Sequence, residues 1–413
     1  MKKVSVKDEA KVDIGAVIDR GENSSMMEPL RIGDGSPKRM ELTELTFELA
    51  RRSTGFRHSL PESMIASLAD LVRSMNCYYS NLIEGHDTHP VDIERALQND
   101  YSLDAKKRDL QLEAKAHIEV QRWIDAGKLK ERAVTVNSIL EIHRRFCEAL
   151  PDDLLWIEDP ATMERVRVIP GALRDRDVAV GRHVAISPGA VPRFLKRFEE
   201  AYRPLGQAES TLATAAAHHR LAWIHPFLDG NGRVARLLSH AMLLEAVDTG
   251  SLWSIARGLA REVNAYKSHL AACDQPRRND LDGRGVLSEE GLVEFTRFFL
   301  RTCIDQIQFM EGLMQPERLR TRIMLWAEEE IRCGHLPPKS GRVLDATLYR
   351  GELPRSSVAE IVDTGERQAR RIASALLDRG VLLSAGTRAP LRLAFPATLA
   401  SRWMPGLFPD RAE

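Results

Sequence analysis

The chain has no surplus of charge of either sign. Lysine plus arginine and aspartate plus glutamate both number 59, so the formal net charge is zero. That balance excludes a globally polybasic or polyacidic protein and leaves room only for local patches. No two of the five cysteines (Cys77, Cys147, Cys273, Cys303, Cys333) have CxxC spacing. An odd, scattered set suggests neither a disulfide framework nor a zinc site, and these residues read as small buried hydrophobes or inert thiols. No apolar run approaches the length needed to span a bilayer. The opening MKKVSVKDEAKVDIG lacks an apolar h-region, which speaks against a secretory signal. The expectation is a cytoplasmic protein without a membrane partner. No internal repeat is present.

What is there is a chain of 413 residues, 43% of them hydrophobic, enough for a sizeable core and two or three domains. Residues 1–40 mix charge, Gly, Pro and Ser without periodicity and read as a loosely ordered, flexible arm. From Glu41 apolar residues recur at helical spacing, with Ile65, Leu68, Leu71 and Val72 on one face. Helices are expected at 106–126, 135–149, 190–203, 208–224, 233–248, 288–312 and 316–333. One interruption stands out: Val178-Ala179-Val180 and Val184-Ala185-Ile186 flank Gly181-Arg182-His183, a hairpin signal in a helical chain. Composition shifts at CGHLPPKSG, a linker pattern. Beyond it come a helix near 341–349, a capping box at Ser357-x-x-Glu360, and a helix from Glu366 to Arg379 ended by Gly380. VLLSAGTRAPLRLAF then reads as two short strands around a turn. Helix–turn–helix followed by a hairpin is a winged-helix pattern, expected to fold separately over 341–413.

The segment that carries chemistry is Ile224-His225-Pro226-Phe227-Leu228-Asp229-Gly230-Asn231-Gly232-Arg233-Val234-Ala235-Arg236. Pro226 disfavours helix at His225, so the preceding helix stops there. Two glycines in the turn let backbone N–H groups approach a ligand, and the next helix begins near Gly232 with its own free N–H groups. That is a cradle for phosphate-like anions. Arg233 and Arg236 share one side of the first turn, where cations oppose the helix dipole and make sense if an anion sits there. Asp229 offers a hard oxygen to Mg²⁺. His225 can serve as a base.

This run resembles the Fic-domain signature H-x-F-x-(D/E)-G-N-G-R-x-x-R at every fixed position, a coincidence of chance on the order of 10⁻⁸. The resemblance extends over roughly residues 40–310. It implies a mainly α fold: a Fic-type helical core with a β-hairpin flap, followed here by the small C-terminal winged-helix (α+β) domain. The corresponding divisions are a helical region with an inhibitory helix at 41–135, the catalytic core at 136–312, a helical linker at 313–340 and the tail at 341–413. The implied activity is AMP transfer from ATP to a Ser, Thr or Tyr hydroxyl of a protein target, with release of diphosphate. By the same resemblance His225 is the base, Asp229 the metal ligand, and Gly230, Asn231 and Gly232 the anion hole. Arg233 and Arg236 would hold the β- and γ-phosphates, Phe227 would anchor the loop, and Tyr266 would lie near the adenine. The hairpin residues Val178, Val180, Val184 and Ile186 would form the flap that pairs with an extended target segment. Ser80-Asn81-Leu82-Ile83-Glu84-Gly85 matches the inhibitory motif (S/T)-x-x-x-E-(G/N), which implies that Glu84 pairs with Arg236, that Ser80 helps to fix the carboxylate, and that Gly85 stops the helix. Some relatives also use that glutamate to remove AMP, and inhibition could be relieved by a partner or an altered homodimer.

Other readings stay open. Doc-type relatives transfer a phosphoryl group, but their loop departs from the intact Gly232-Arg233; transfer of another phosphate-containing group is compatible with the motif. The tail could make this a DNA-binding regulator, since Arg367, Arg371 and Ser374 share the outer face of its second helix, and winged helices also dock proteins. His218 and His219 have no carboxylate or cysteine at ligand spacing and read as structural.

Overall fold

From Thr211 to Ile224 every residue but Ala222 is buried, which a helix achieves only when other elements surround it. The rest of the chain is arranged around this stretch. The computed structural model describes residues 17–158, 163–181, 183–203 and 205–409. Its first helices are α1 (Arg39–His58), α2 (Glu62–Ile83), α3 (Pro90–Leu97), α4 (Ala105–Asp125) and α5 (Val136–Glu148). Asp104 and Thr135 start α4 and α5 by accepting hydrogen bonds from Lys107 N and Ser138 N. Two small hairpins follow, β1 (Trp156–Glu158) with β2 (Arg165–Arg167), and β3 (Ala179–Val180) with β4 (His183–Val184). Then come α6 (Val191–Tyr202), α7 (Gln207–Ile224), α8 (Asn231–Val247), α9 (Ile255–Arg261), α10 (Val263–Cys273), α11 (Glu289–Met314) and α12 (Pro316–Arg332). Helices α7 and α8 form the most extensive pair, with α1, α6 and α11 against α7 and α2, α4 and α5 against α8. The turn that joins the two buried helices is therefore held from many sides. No helix among the described residues is long and apolar enough to cross a membrane.

Two expectations about the ends of the chain meet a different arrangement. The arm was to span 1–40; residues 1–16 lie outside the described residues, but Met27, Leu30 and Ile32 are buried. Leu30 O accepts Tyr202 Oη at 2.5 Å, Pro29 O accepts Arg220 Nη2 at 2.8 Å, and Glu22 accepts the N–H of Ser187 at 2.8 Å. Polar composition hides this strap because its backbone carbonyls, rather than its side chains, carry much of the attachment.

The tail contains α13 (Ser340–Arg350), β5 (Glu352–Leu353), α14 (Val358–Val362), α15 (Glu366–Asp378), β6 (Leu382–Leu383), β7 (Leu391–Leu393) and α16 (Ala400–Trp403). Its antiparallel sheet has the order β5-β7-β6, so the two expected strands acquire a third that two residues of sequence did not announce. Gly380, at φ +68°, ends α15, with Gly380 N bonding Leu377 O and Val381 N bonding Leu376 O. The Ser357 capping box does not form: the chain is already turning at Arg355–Ser357, and Ser357 makes no side-chain cap bond. Against the expectation of a separately folding tail, its last segment lies on α2 and α3. Leu407 O accepts the Tyr79 hydroxyl at 3.0 Å and Phe408 stacks edge-on against Tyr78 at 5.5 Å. Gly406 O accepts Arg257 Nη2 at 2.7 Å, and Glu94 accepts Ala397 N at 3.1 Å.

Leu407 is fully buried in this contact. Leu407→Ala is expected to destabilise the protein by about 2–5 kcal/mol, read as a lower urea midpoint, because the cavity cannot collapse between α2 and the tail.

Candidate active site

The α7–α8 turn begins with His225 in the left-handed region (φ 52°, ψ 62°), an uncommon conformation for a residue with a Cβ. Arg174 holds it there. Its Nε donates to His225 O at 2.8 Å, its N–H to Pro226 O at 2.9 Å, its Nη1 to Arg176 O at 2.9 Å, and its Nη2 to Ile186 O. One buried guanidinium thus ties the loop to the base of the β3–β4 hairpin, and burial pulls its pKa down to about 10. Phe227 is fully buried and stacks on His143, with ring centroids 3.8 Å apart and planes at 6°. His143 Nδ1 accepts Gly171 N at 2.9 Å. Neither Arg174 nor His143 carries a motif, so only their contacts reveal them.

The His225 ring is oriented by its own helix. Nδ1 lies 3.2 Å from Ala222 O, which makes Nδ1 the protonated nitrogen and leaves Nε2 as the basic one. Burial lowers its pKa to about 4, so the ring is neutral at physiological pH. Asp229 is exposed, its nearest ion-pair partner being Arg233 Nη1 at 3.9 Å. Gly230 takes φ +78° at the start of α8. Val234 N to Gly230 O is the first intrahelical bond, which places the N–H groups of Asn231, Gly232 and Arg233 at the helix N-terminus. The Asn231 side chain does not face the cradle. Its Oδ1 accepts Phe227 N at 3.0 Å and its Nδ2 donates to Phe227 O at 2.9 Å, so it closes the loop while its backbone contributes to the cradle.

An anionic side chain sits in this cradle. Glu84 follows the last residue of α2, and Gly85 at φ +88° turns the chain away after it. Glu84 Oε1 pairs with Arg236 Nη2 at 2.5 Å. Arg236 also donates from Nε to Ser80 Oγ at 2.9 Å and from Nη2 to Ser80 O at 3.1 Å. The carboxylate lies so close to α8 that a Cβ at Gly232 would overlap Glu84 Oε1. Glycine at 232 is therefore a condition of this contact as well as of the turn. Burial raises the Glu84 pKa, but the charge and hydrogen bond of Arg236 outweigh it and the net shift is downward.

Arg233 has a carboxylate of its own. Its Nη2 lies 2.9 Å from Oε1 of the buried Glu113 on α4 and 3.4 Å from His86 Nδ1, and its guanidinium stacks over Phe146. His86 Nδ1 in turn lies 2.8 Å from Glu113 Oε2. Sequence reasoning passed over Glu113 because a glutamate in a charged helix is by default a surface residue.

One expected placement differs, and Tyr266 is placed in the core. Tyr266 is buried, its hydroxyl 2.7 Å from His218 Nε2, and burial pushes its pKa up to about 12. Its ring lies near Arg236, and His218 supplies the partner that a buried tyrosine hydroxyl needs. Ile186 is buried too, unlike Val180 and Val184, which are exposed; Val178 is half-buried. The hairpin pairs Ala179 with Val184 and Val180 with His183, and His183 Nε2 reaches Trp223 O at 2.7 Å. Arg182 lies outside the described residues.

Residues 133–243 match the Fic/DOC family. Over 173 residues the chain is 32% identical to the Protein adenylyltransferase Fic of Drosophila yakuba, an overlap of 41% of this chain and 32% of the fly protein. The Drosophila melanogaster protein of that name is 31% identical over 173 residues, with the same coverage. The chain thus spans about a third of the length of the curated relatives it matches. The crystal structure of a Fic family protein from Desulfovibrio desulfuricans G20 has the same fold, with a TM-score of 0.53 and 15% identity over 88% of this chain and 98% of that one.

Burial also makes the site region acid-sensitive. His143, His219 and His225 have pKa values lowered to about 4. Unfolded, each binds its proton near its ordinary value of about 6.5. The unfolded chain therefore binds more protons between these limits, and stability falls as pH drops from about 6.5 toward 4. The urea midpoint should be distinctly lower at pH 5.0 than at pH 7.5; equal midpoints would mean that these rings are not held neutral.

Proposed function

We propose that the protein is a protein adenylyltransferase that moves AMP from ATP to a hydroxyl of a protein target, and that Glu84 holds it in check. The observation that carries this reading is the Glu84 carboxylate at the N-terminus of α8 beside Arg236: the cradle attracts an anion, and Glu84 stands where a nucleotide phosphate would be bound. The target hydroxyl oxygen attacks the α-phosphorus of ATP, its proton passes to His225 Nε2, and the bond to the β-phosphate oxygen breaks to release diphosphate. Arg174 and Asn231 keep the loop in the shape this needs, and the α8 N–H groups with Arg233 and Arg236 neutralise phosphate charge. The exposed edge of the β3–β4 hairpin, with Val180 and Val184, suits strand addition by an extended target segment.

The donor set fits Mg²⁺ arriving with the nucleotide. Among the described residues no three His, Cys, Asp or Glu side chains are grouped to hold a metal, while Asp229 presents one exposed carboxylate. Mg²⁺ commonly takes one or two carboxylates and fills its other positions with phosphate oxygens and water; bound there it would offset phosphate charge.

The latch must open for this activity. Because the Glu84 pKa is lowered, its contribution is present above the usual carboxylate range and lost only on acidification through it, so neutral pH leaves the latch closed. Glu84→Gly is expected to raise incorporation of AMP into the protein itself or a target by at least about tenfold, equivalent to about 1.4 kcal/mol. Retained nucleotide binding with an unchanged rate would show that Glu84 does not restrain the site. In that variant, label from α-³²P-ATP should appear on protein and label from γ-³²P-ATP should not; γ-label would indicate a kinase instead. His225→Ala added to Glu84→Gly should reduce transfer by about 10²–10⁴-fold with ATP affinity largely kept, as expected for loss of a general base.

A further inference from the structure

Three of the tail's arginines are neutralised against α12 or within the tail's own sheet, and others are left without an ion pair among the described residues. Residues 341–409 contain ten arginines, no lysine and six carboxylates, in a chain whose net charge is zero. On one side the guanidinium groups are neutralised. Arg379 pairs with Glu330 and Arg402 with Glu329 on α12, and Arg392 pairs with Glu352 across the sheet at 2.7 Å. These pairs face the rest of the protein or lie within the module. Helix α15 buries Ala369, Ile372, Ala373 and Leu376 against the module and turns Arg367, Arg371 and Ser374 outward. Arg367 and Arg371, one helical turn apart, have no ion pair among the described residues. They flank a recess of about 470 Å³ lined by Gly365, Arg367, Gln368 and Arg371. Exposed Arg388 lies in the β6–β7 turn, and that turn is fastened to the start of α14 by Arg355 Nε to Ala389 O at 3.3 Å. Two of the nearby acids are engaged, Glu366 with Arg370 at 2.7 Å and Asp378 with Ser374 Oγ at 3.3 Å, while Glu360 and Asp363 are exposed before α15.

We infer that this face binds duplex DNA, with α15 in the major groove and the β6–β7 turn on the flanking backbone. An α-helix with its side chains is about 10–12 Å across and the B-form major groove about 12 Å wide, so an outward helix carrying two uncompensated arginines matches it in shape and sign. The A-form major groove of duplex RNA is too deep and narrow for the same entry. Arg367, Arg371 and Arg388, with no ion pair among the described residues, gain no such stabilisation in the free protein, whereas DNA phosphates or guanine edges satisfy them and release counterions. The attachment of the tail to α2 and α3 uses Gly351, β7 and Ala397–Phe408, so it leaves the outer face of α15 uncovered.

The test is fluorescence anisotropy of the full chain with a labelled 30-base-pair DNA duplex of mixed sequence, across 50–200 mM salt. Three phosphate contacts predict a slope of log K against log salt near −2.7, about a 40-fold loss over that range. Arg367→Glu combined with Arg371→Glu should weaken binding at least tenfold and flatten the slope, with the thermal melt unchanged; Arg388→Glu should weaken it less. His225→Ala should bind DNA as the parent does, which separates this inference from the catalytic one. Binding with no salt dependence, equal binding by the double variant, or equal or tighter binding of an RNA duplex of the same sequence overturns it.

Discussion

The arginine–carboxylate pair between Arg236 and Glu84 is the contact on which the arrangement of the site depends. A guanidinium buried at the positive end of a helix is unfavourable in isolation, since neither solvent nor the dipole supports it. Ser80 and Glu84 supply the compensation, and both come from α2, outside the segment that matches the Fic/DOC family. The free energy that would draw a phosphate to Arg236 is therefore the same free energy that binds Glu84. An anion must enter by replacing another anion.

What holds α2 determines how firmly the latch sits. Tyr78 and Tyr79 immediately precede Ser80, and the C-terminal segment bears on both of them through Phe408 and Leu407. Glu94 on α3, soon after the latch, caps the turn at Ala397. The second arginine is restrained in parallel, because Glu113 on α4 holds Arg233 and is itself held by His86 from the turn after Glu84. The region around Glu84 thus lies between the tail segment and both arginines of the cradle. At the opposite edge Arg174 makes the catalytic loop and the hairpin one unit.

Much of the site was legible because its chemistry is local. The spacing from His225 to Arg236 places a base, an acid, a tight turn and a helix N-terminus within twelve consecutive residues, and Pro226 with Gly230 and Gly232 leaves the backbone few alternatives. Helices with a clear apolar stripe, such as α5, α6 and α15, were equally readable from period. Ser80, Glu84 and Gly85 were visible only through resemblance, since a glutamate at a helix end has a bland reading as a surface charge. Tyr266 was singled out by the same resemblance, and the structure adds that its hydroxyl is bonded to the buried His218.

The sequence by itself determined the helical class and the turn from His225 to Arg236, because each rests on side chains and φ restrictions within one turn or one helix. Only the tertiary structure decided that Glu113 holds Arg233, that Arg174 clamps His225, that residues 17–32 strap the core, and that the tail grips α2. These contacts join residues far apart in the chain through buried charges and backbone carbonyls. A backbone carbonyl carries no sequence signal, and a lone arginine or glutamate reads as a surface charge until packing removes the water around it.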